Sequence, residues 1–371
     1  MSLYQKGGSG KNVALLFIGI STGTCQIKSV DGFLRYTVPV RLNDFNVLET
    51  YKIWRNYEKN IYSCYTGDAF FVNACIQKSY GASHEKSSLV FFSRDITAEN
   101  VVKLFKATQK NLPGKVAVQQ SMGEPDGYLF VEPELSEKLV KQLNGIYINS
   151  TGVSDNVSIR KMIAAEHGFM KAGYVDILDE HGQIELPVNG GKILSRNIVG
   201  SHIRSYDSLL VLTHFKGHAV SGIGGTMKNL SIGIASPDGK RLIHSGGKNS
   251  TAYTHLDQNR FLEANAEAAK SVIDYFKGNV VYISFLYKLA AASDYGAQHP
   301  QPVIPDIGIL ASTDPVALDK ACTDMIYSAK GSKPLTDLFE EKNGFHSIEY
   351  AFELGLGNLK YTLIELNNDI N

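Results

Sequence analysis

The sequence predicts an α/β protein: a mixed, mainly parallel sheet flanked by helices, with a smaller N-terminal α+β or β-rich segment. Three observations carry this. From Leu89 onward, short apolar runs of strand length alternate with capped, amphipathic runs of helix length, the pattern of a sheet buried on both faces. The first 84 residues lack a clean helical period and hold Cys25, Cys64, Cys75 and 13 of the chain's 37 aromatic residues, Trp54 among them. The small, polar stretch Ser79–Ser88 separates the two patterns. The expected division is therefore an accessory segment at 1–84, with 1–10 set aside as a leader, and an α/β domain at 85–371.

Taken in order, the strand-like runs of the first segment are Val13–Ile20, Leu34–Val40 and Ala69–Ile76. In the second segment they are Leu89–Ser93, Val116–Gln120, Gly145–Asn149, Tyr174–Leu178, Leu209–Phe215, Val280–Leu286, Ile307–Ala311 and Tyr361–Leu366. Thr97 is placed to cap a helix over Ala98–Lys110, and Asn156 one over Val157–His167. Pro133 opens Glu134–Leu143, and Arg260–Phe276 is rich in Ala, Glu and Lys at apolar spacing. Asp314 followed by Pro315 is an N-cap and first-turn signature for Val316–Ala329. In such sheets ligands gather at loops beyond the carboxyl ends of the strands.

Composition excludes several classes. The 371 residues carry 37 Lys+Arg and 37 Asp+Glu, a formal net charge of zero. That argues against a broad duplex-binding surface, which needs a basic excess. The longest early apolar run, Val13–Ile20, is far short of the roughly 20 residues that span a bilayer, and no signal-peptide pattern surrounds it. These features read as a soluble, cytoplasmic protein without nucleic-acid or membrane partners. The 4 cysteines do not make a disulfide scaffold. No C-x-x-C occurs, so no obvious zinc or ferredoxin-type ligand set is present.

The most informative stretch is LLVLTHFKGHAVSGIGGTMKN, Leu209–Asn229. A buried strand is followed by His214, Lys216 and His218, then Gly222, Gly224 and Gly225, then Lys228 and Asn229. Glycines after a strand allow backbone amides to approach an anion, and a helix start adds its positive end. The spacing G-x-G-G-x-x-K-N is neither a Walker A sequence nor G-x-G-x-x-G; the glycines serve equally as a tight turn. His214 and His218 stand four apart, a spacing that on a helix suits a metal, although Gly217 and the preceding strand count against a helix. Metal ligation, acid/base work, anion binding and structural hydrogen bonding all remain open for this pair. Glu124, in SMGEPDG (Ser121–Gly127), is an acid/base or ligand candidate, or a solvated carboxylate in a Pro-Asp-Gly turn. The run GGSGKN at Gly7–Asn12 imitates a P-loop but lacks its first Gly and its Ser/Thr.

HFKGHAVSGIGGTMKN together with DIGILASTDPVALDKAC resembles the DUF362 family, and the similarity runs through KVAV, GEP, AEHGF, VNGGK, VGSHI, GKRLIHS and GLGNLKYTLIEL. Many members are associated with iron–sulfur clusters. The resemblance implies a cysteine-containing run after VVYISFLYKL, where this chain has Ala292, Ser293, Asp294 and Tyr295. Ser293 and Tyr295 do not replace thiolates, so no iron–sulfur cluster is expected there and the cofactor is left unknown. Relatives tend to carry Lys and His where Gln119 and Ser121 stand.

These readings converge on a cleft formed by Ser121–Gly127, His214–Asn229, Gly239–His244 and Ala292–Asp314. Its expected occupant is a small anion, a phosphate or carboxylate. Lys216, Gly222, Gly224, Gly225, Lys228, Asn229, Lys240, His244 and Asp314 are the candidate ligand-binding residues. His214, His218 and Glu124 are the candidate catalytic groups. Between His214 and Lys248 stand five Lys/Arg and one acid, so the balanced total hides a positive loop region. The alternatives are a metal-dependent or redox enzyme using His214 and His218, and a non-catalytic interaction protein.

Overall fold

A computed structural model describes residues 17–21, 24–28, 35–39, 87–248, 257–291 and 300–366. The chain divides into two units, Met1–Ser83 and His84–Asn371. In the first, β1 (Phe17–Ser21), β2 (Thr24–Lys28) and β3 (Arg35–Pro39) form an antiparallel sheet in that order. The expected strands at Val13–Ile20 and Leu34–Val40 meet β1 and β3. The run Ala69–Ile76 and the P-loop-like GGSGKN lie outside the described residues.

The second unit is built on an eight-stranded sheet. Its strands are β4 (Ser88–Ser93), β5 (Val116–Gln120), β6 (Ile146–Asn149), β7 (Val175–Ile177), β10 (Ser208–His214), β13 (Val280–Leu286), β14 (Gly308–Ser312) and β15 (Tyr361–Glu365). Their spatial order is β15-β4-β14-β13-β10-β5-β6-β7. Every neighbouring pair is parallel except the two made by β14, which runs against the rest. Two hairpins stand outside this sheet, β8 (Gln183–Pro187) with β9 (Arg196–Gly200), and β11 (Lys216–His218) with β12 (Gly222–Gly224).

The central strands β10 and β13 are buried along their whole length because both faces are covered. In β10, Leu210 and Leu212 join one core with Val101, Leu104, Leu139 and Ile163, from α1 (Ala98–Ala107), α2 (Pro133–Gln142) and α3 (Val157–Glu166). A short α4 (Phe169–Ala172) closes that layer with Phe169. Leu209 and Val211 of the same strand enter the opposite core, with Leu230, Val272, Val316 and Ile348. These come from α5 (Thr226–Ser231), α7 (Gln258–Tyr275), α8 (Pro315–Ser328) and α10 (His346–Glu353). Between α5 and α7 lies α6 (Pro237–His244), and α9 (Lys333–Glu341) precedes α10. The two-residue side-chain alternation of a strand makes this three-layer arrangement from one apolar run.

The expected caps are in place. Thr97 accepts from the Asn100 amide at 3.2 Å, Asn156 from Ile159 at 3.0 Å and Asp314 from Ala317 at 2.9 Å, each satisfying a donor at a helix start. No described helix is long and apolar enough to cross a membrane.

Candidate functional site

The connectivity marks where a ligand site is expected. From β5 the chain winds outward through β6 to β7; from β10 it winds the other way to β13. The adjacent strands β5 and β10, paired from Ser208↔Val116 to Leu212↔Gln120, thus send their following segments to opposite sides. That is the topological switch point where open α/β sheets leave a crevice. Ser121–Gly127 leaves one lip, and Phe215–Gly225 the other.

The His, Lys and Gly block folds as a hairpin before the helix. Lys216 pairs with Gly224 and His218 with Gly222 in β11–β12. His214 ends β10, buried, and its Nε2 donates to the Tyr287 carbonyl at 2.7 Å. A carbonyl only accepts, so in the neutral ring Nδ1 is bare; it is buried with no hydrogen-bond partner, as are Oε1 of Gln119 and of Gln120. Burial, then the charge of Lys216, pushes the His214 imidazole down to about 3. Burial thus favours the neutral ring in the ligand-free protein. Two-dimensional NMR should show no titration of the His214 ring between pH 5 and 8.

His218 lies four residues further on, at the end of β11. Its Nδ1 accepts from the amides of Val220 and Ser221, both at 3.2 Å, so the neutral ring carries its proton on Nε2. Burial, then the charges of Lys228 and Lys216, holds it well below its ordinary value. Lys228, on α5, makes no hydrogen bond or ion pair among the described residues. Burial and the neighbouring Lys216 lower it to about 8, and Glu124 opposes them. Lys216, His218 and Lys228 are each half-buried, surrounded by protein yet touched by solvent, as side chains lining a recess are. The Lys216 ammonium donates to the Leu129 carbonyl at 2.5 Å. Glu124 sits at the rim, its carboxylate 4.0 Å from the Arg160 guanidinium. Arg160 is itself fixed to Asp155 and to the Gly123 carbonyl.

The remaining expected ligands have other tasks. The amides around Gly222–Gly225 are expected to hold an external anion. Just beyond them, the amides of Thr226 and Met227 bind the buried Asp319 carboxylate at 2.8 and 3.0 Å, so the helix start that follows has an anion of its own. A Cβ on Gly225 would lie 2.7 Å from that carboxylate, which is why the position is glycine. Burial pushes Asp319 up to about 6 even against those hydrogen bonds. Asp319→Ala strands two buried amides and should cost about 2–4 kcal/mol in chemical denaturation. Gly222 turns the chain at φ +71° against Lys342 and Gly344, a packing role.

Asp314 is not in the cleft. It follows β14, and because β14 is antiparallel to its neighbours its carboxyl end lies at the other edge of the sheet. There Asp314 caps α8 and accepts from Ser88 at 2.7 Å and the Asn358 amide at 2.8 Å. Lys240 donates to Ser150 Oγ, the Thr151 carbonyl and the Ala235 carbonyl at 2.7, 2.5 and 2.9 Å. Two of its protons brace α6 against the loop after β6 and the third returns to the residue before the α6 N-cap, and burial lowers it to about 7. Asn229 braces β10 through its Nδ2, 3.0 Å from Thr213 Oγ1. His244 stacks on Phe261 at 4.7 Å. Ala292, Ser293 and Tyr295 lie outside the described residues.

Among the described residues no group of three or more His, Cys, Asp or Glu is placed to hold a metal. A separate hollow of about 450 Å³ is lined by Glu132, Glu134, Glu137 and Glu166 with His167 and Lys171; its charge does not suit an anion. Sequence reasoning passed over Arg160, Gln120 and Asp319's role. Gln119 had drawn notice only through the resemblance. For Asp319 no local signal exists, since its partners are 92 and 93 residues away.

Comparison with known proteins adds the following. No curated protein matches the chain. Two solved structures that resemble it are the lactate racemase apoprotein from Thermoanaerobacterium thermosaccharolyticum and a structural-genomics protein from Thermotoga maritima. The first has 14% identity and a TM-score of 0.40, covering 67% of this chain and 59% of that one. The second has 12% identity and a TM-score of 0.33, covering 69% and 58%. The chain thus spans less than two thirds of the length of either. The family model for DUF362, a domain of unknown function, matches residues 116–324, more than half of the sequence, and the chain belongs to the DUF362 family.

Proposed function

We propose that the recess at the β5–β10 switch point binds a small anion, a phosphate or carboxylate, on Lys228, with Lys216 and the Nε2–H of His218 as further positive and donor groups. The observation that carries this is the Lys228 side chain, half-buried beside a second cation and without a hydrogen bond or ion pair among the described residues. A charge so placed is costly unless a counter-charge arrives. The hairpin and α5 hold it at the edge where α/β sheets take ligands.

The same charges give His218 a conditional role. In the free protein Lys228 and Lys216 suppress its protonation. A bound anion neutralises them, and the imidazole regains basicity next to the ligand, where it becomes the acid/base group of the site. His214 supplies a neutral ring fixed by Tyr287. This reading carries with it a soluble, cytoplasmic protein whose partner is a small molecule rather than nucleic acid or membrane, supported by a positive region of small extent.

Calorimetric titration with inorganic phosphate, small phosphate esters and small carboxylates tests it. One class should bind, and Lys228→Met should weaken it by about 10–100-fold, the value of one charge-assisted contact. No binding by either class, or binding that survives Lys228→Met, refutes the site.

A further inference from the structure

A second group of titratable side chains lies on other elements, at the β7 edge of the sheet. His181 stands in the turn between β7 and β8, and His202 in the short 3-10 segment Ser201–Ser205 after β9. His181 Nδ1 and His202 Nε2 are 2.7 Å apart. Their ring centres are 4.9 Å apart with planes inclined by 25°. Those separations put both nitrogens near the line joining the centres, so the rings meet nitrogen to nitrogen. On its other side His202 Nδ1 donates to Asp176 Oδ1 at 2.7 Å, and the second oxygen of Asp176 accepts from the Tyr206 hydroxyl at 2.7 Å.

We propose that His181 and His202 form a two-histidine site for a divalent transition-metal ion such as Zn²⁺, with Asp176 as the positioning residue for His202. The carboxylate holds the proton of His202 on Nδ1 and leaves Nε2 as a bare donor atom, the arrangement by which metal-bound imidazoles are oriented. Coordination requires His181 to carry its proton on Nε2 and present Nδ1, a tautomer change within a neutral ring, with no net proton released. Two nitrogens about 2.0–2.1 Å from zinc at a tetrahedral angle are about 3.3 Å apart. The rings therefore need to part by about 0.6 Å, and His181 is exposed and able to move. Water fills the remaining positions.

The backbone prepares the pair. The Ser201 amide donates to the Gly182 carbonyl at 2.9 Å and the His202 amide to the Leu178 carbonyl at 3.0 Å. The Ser201 hydroxyl donates to the His181 carbonyl at 3.1 Å. The two loops that carry the ligands are thus tied together before any ion arrives. None of these residues belongs to the anion recess, so the two sites stand or fall separately.

Untagged, chelator-treated full-length protein titrated with ZnCl₂ should bind one equivalent. His181→Ala and His202→Ala should each weaken this at least about tenfold, and Asp176→Ala by about 10–100-fold. In long-range ¹⁵N spectra of the histidine rings, zinc should shift His181 Nδ1 and His202 Nε2 together, and Asp176→Ala should abolish the Nδ1–H tautomer of His202. Thermal melting verifies that each variant is folded; His181→Ala, at an exposed position, keeps the test independent of stability. Absence of zinc binding, unchanged affinity in either histidine variant, or a shift at only one of the two nitrogens overturns the proposal.

Discussion

Replacing Glu267 with Ala is expected to lower the unfolding free energy by about 2–4 kcal/mol. Glu267 lies on α7 with no exposed surface. Its Oε1 accepts from the Lys192 amide at 2.6 Å and its Oε2 from Leu194 at 2.7 Å, with Ile193 shared between them at 3.1 and 3.0 Å. The Tyr350 hydroxyl adds a fourth donor at 2.8 Å. One carboxylate therefore satisfies three successive backbone amides of the β8–β9 turn and joins α7 to α10. Alanine strands all four donors in or near the core, whereas a buried polar group keeps its cost only while it lacks a partner. Glu267→Gln keeps one good acceptor and should lose about half as much. Urea denaturation with unchanged m-values measures both; a loss below about 1 kcal/mol for the alanine variant would show that water replaces the carboxylate.

The affinity of a small carboxylate for the recess is expected to fall about tenfold per pH unit above about pH 8. Lys228 has its pKa lowered to about 8 in the free protein. The anion binds the ammonium, not the amine, so binding raises that pKa and takes up a proton wherever the free lysine is deprotonated. Affinity is accordingly complete below the free-state pKa and is lost above it. The charge of Glu124 supports the ammonium, so Glu124→Gln should move the break to lower pH. Calorimetry from pH 6 to 10 at constant ionic strength checks both, since screening alone would weaken binding without moving a break. An affinity independent of pH across that range would mean that Lys228 is not the group on the anion.

How much of this was legible beforehand differs by element. The strand at Leu209–Phe215 needed only its apolar run, because a strand buried on both faces has no polar alternation to hide it. Asp314–Pro315 announced a helix start by itself, since a cap acts within three residues. Ser236–Pro237 carries the same signature, and Ser236 does accept from the Gly239 amide at 3.3 Å. The hairpin β11–β12 was missed because its strands are three residues long and rich in glycine, below what a two-residue period can reveal. Among the site residues, the block His214–Asn229 was recognisable from its run of His, Lys and Gly, but the tasks of its members were not.

Local chemistry therefore determined the fold class, the helix starts and the positive loop that contains Lys216 and Lys228, because periodicity, capping and charge act between residues close along the chain. Tertiary structure alone decided which of those groups are committed to partners within the protein. It gave the amides after Gly225 to Asp319 and the protons of Lys240 to Ser150, Thr151 and Ala235. It carried Asp314 to the far edge by running β14 against its neighbours. It left the Lys228 ammonium without a hydrogen bond or ion pair among the described residues. The physical reason is that a hydrogen-bonding group is committed by whichever partner reaches it within about 3 Å, and in a wound sheet that partner is often tens of residues away.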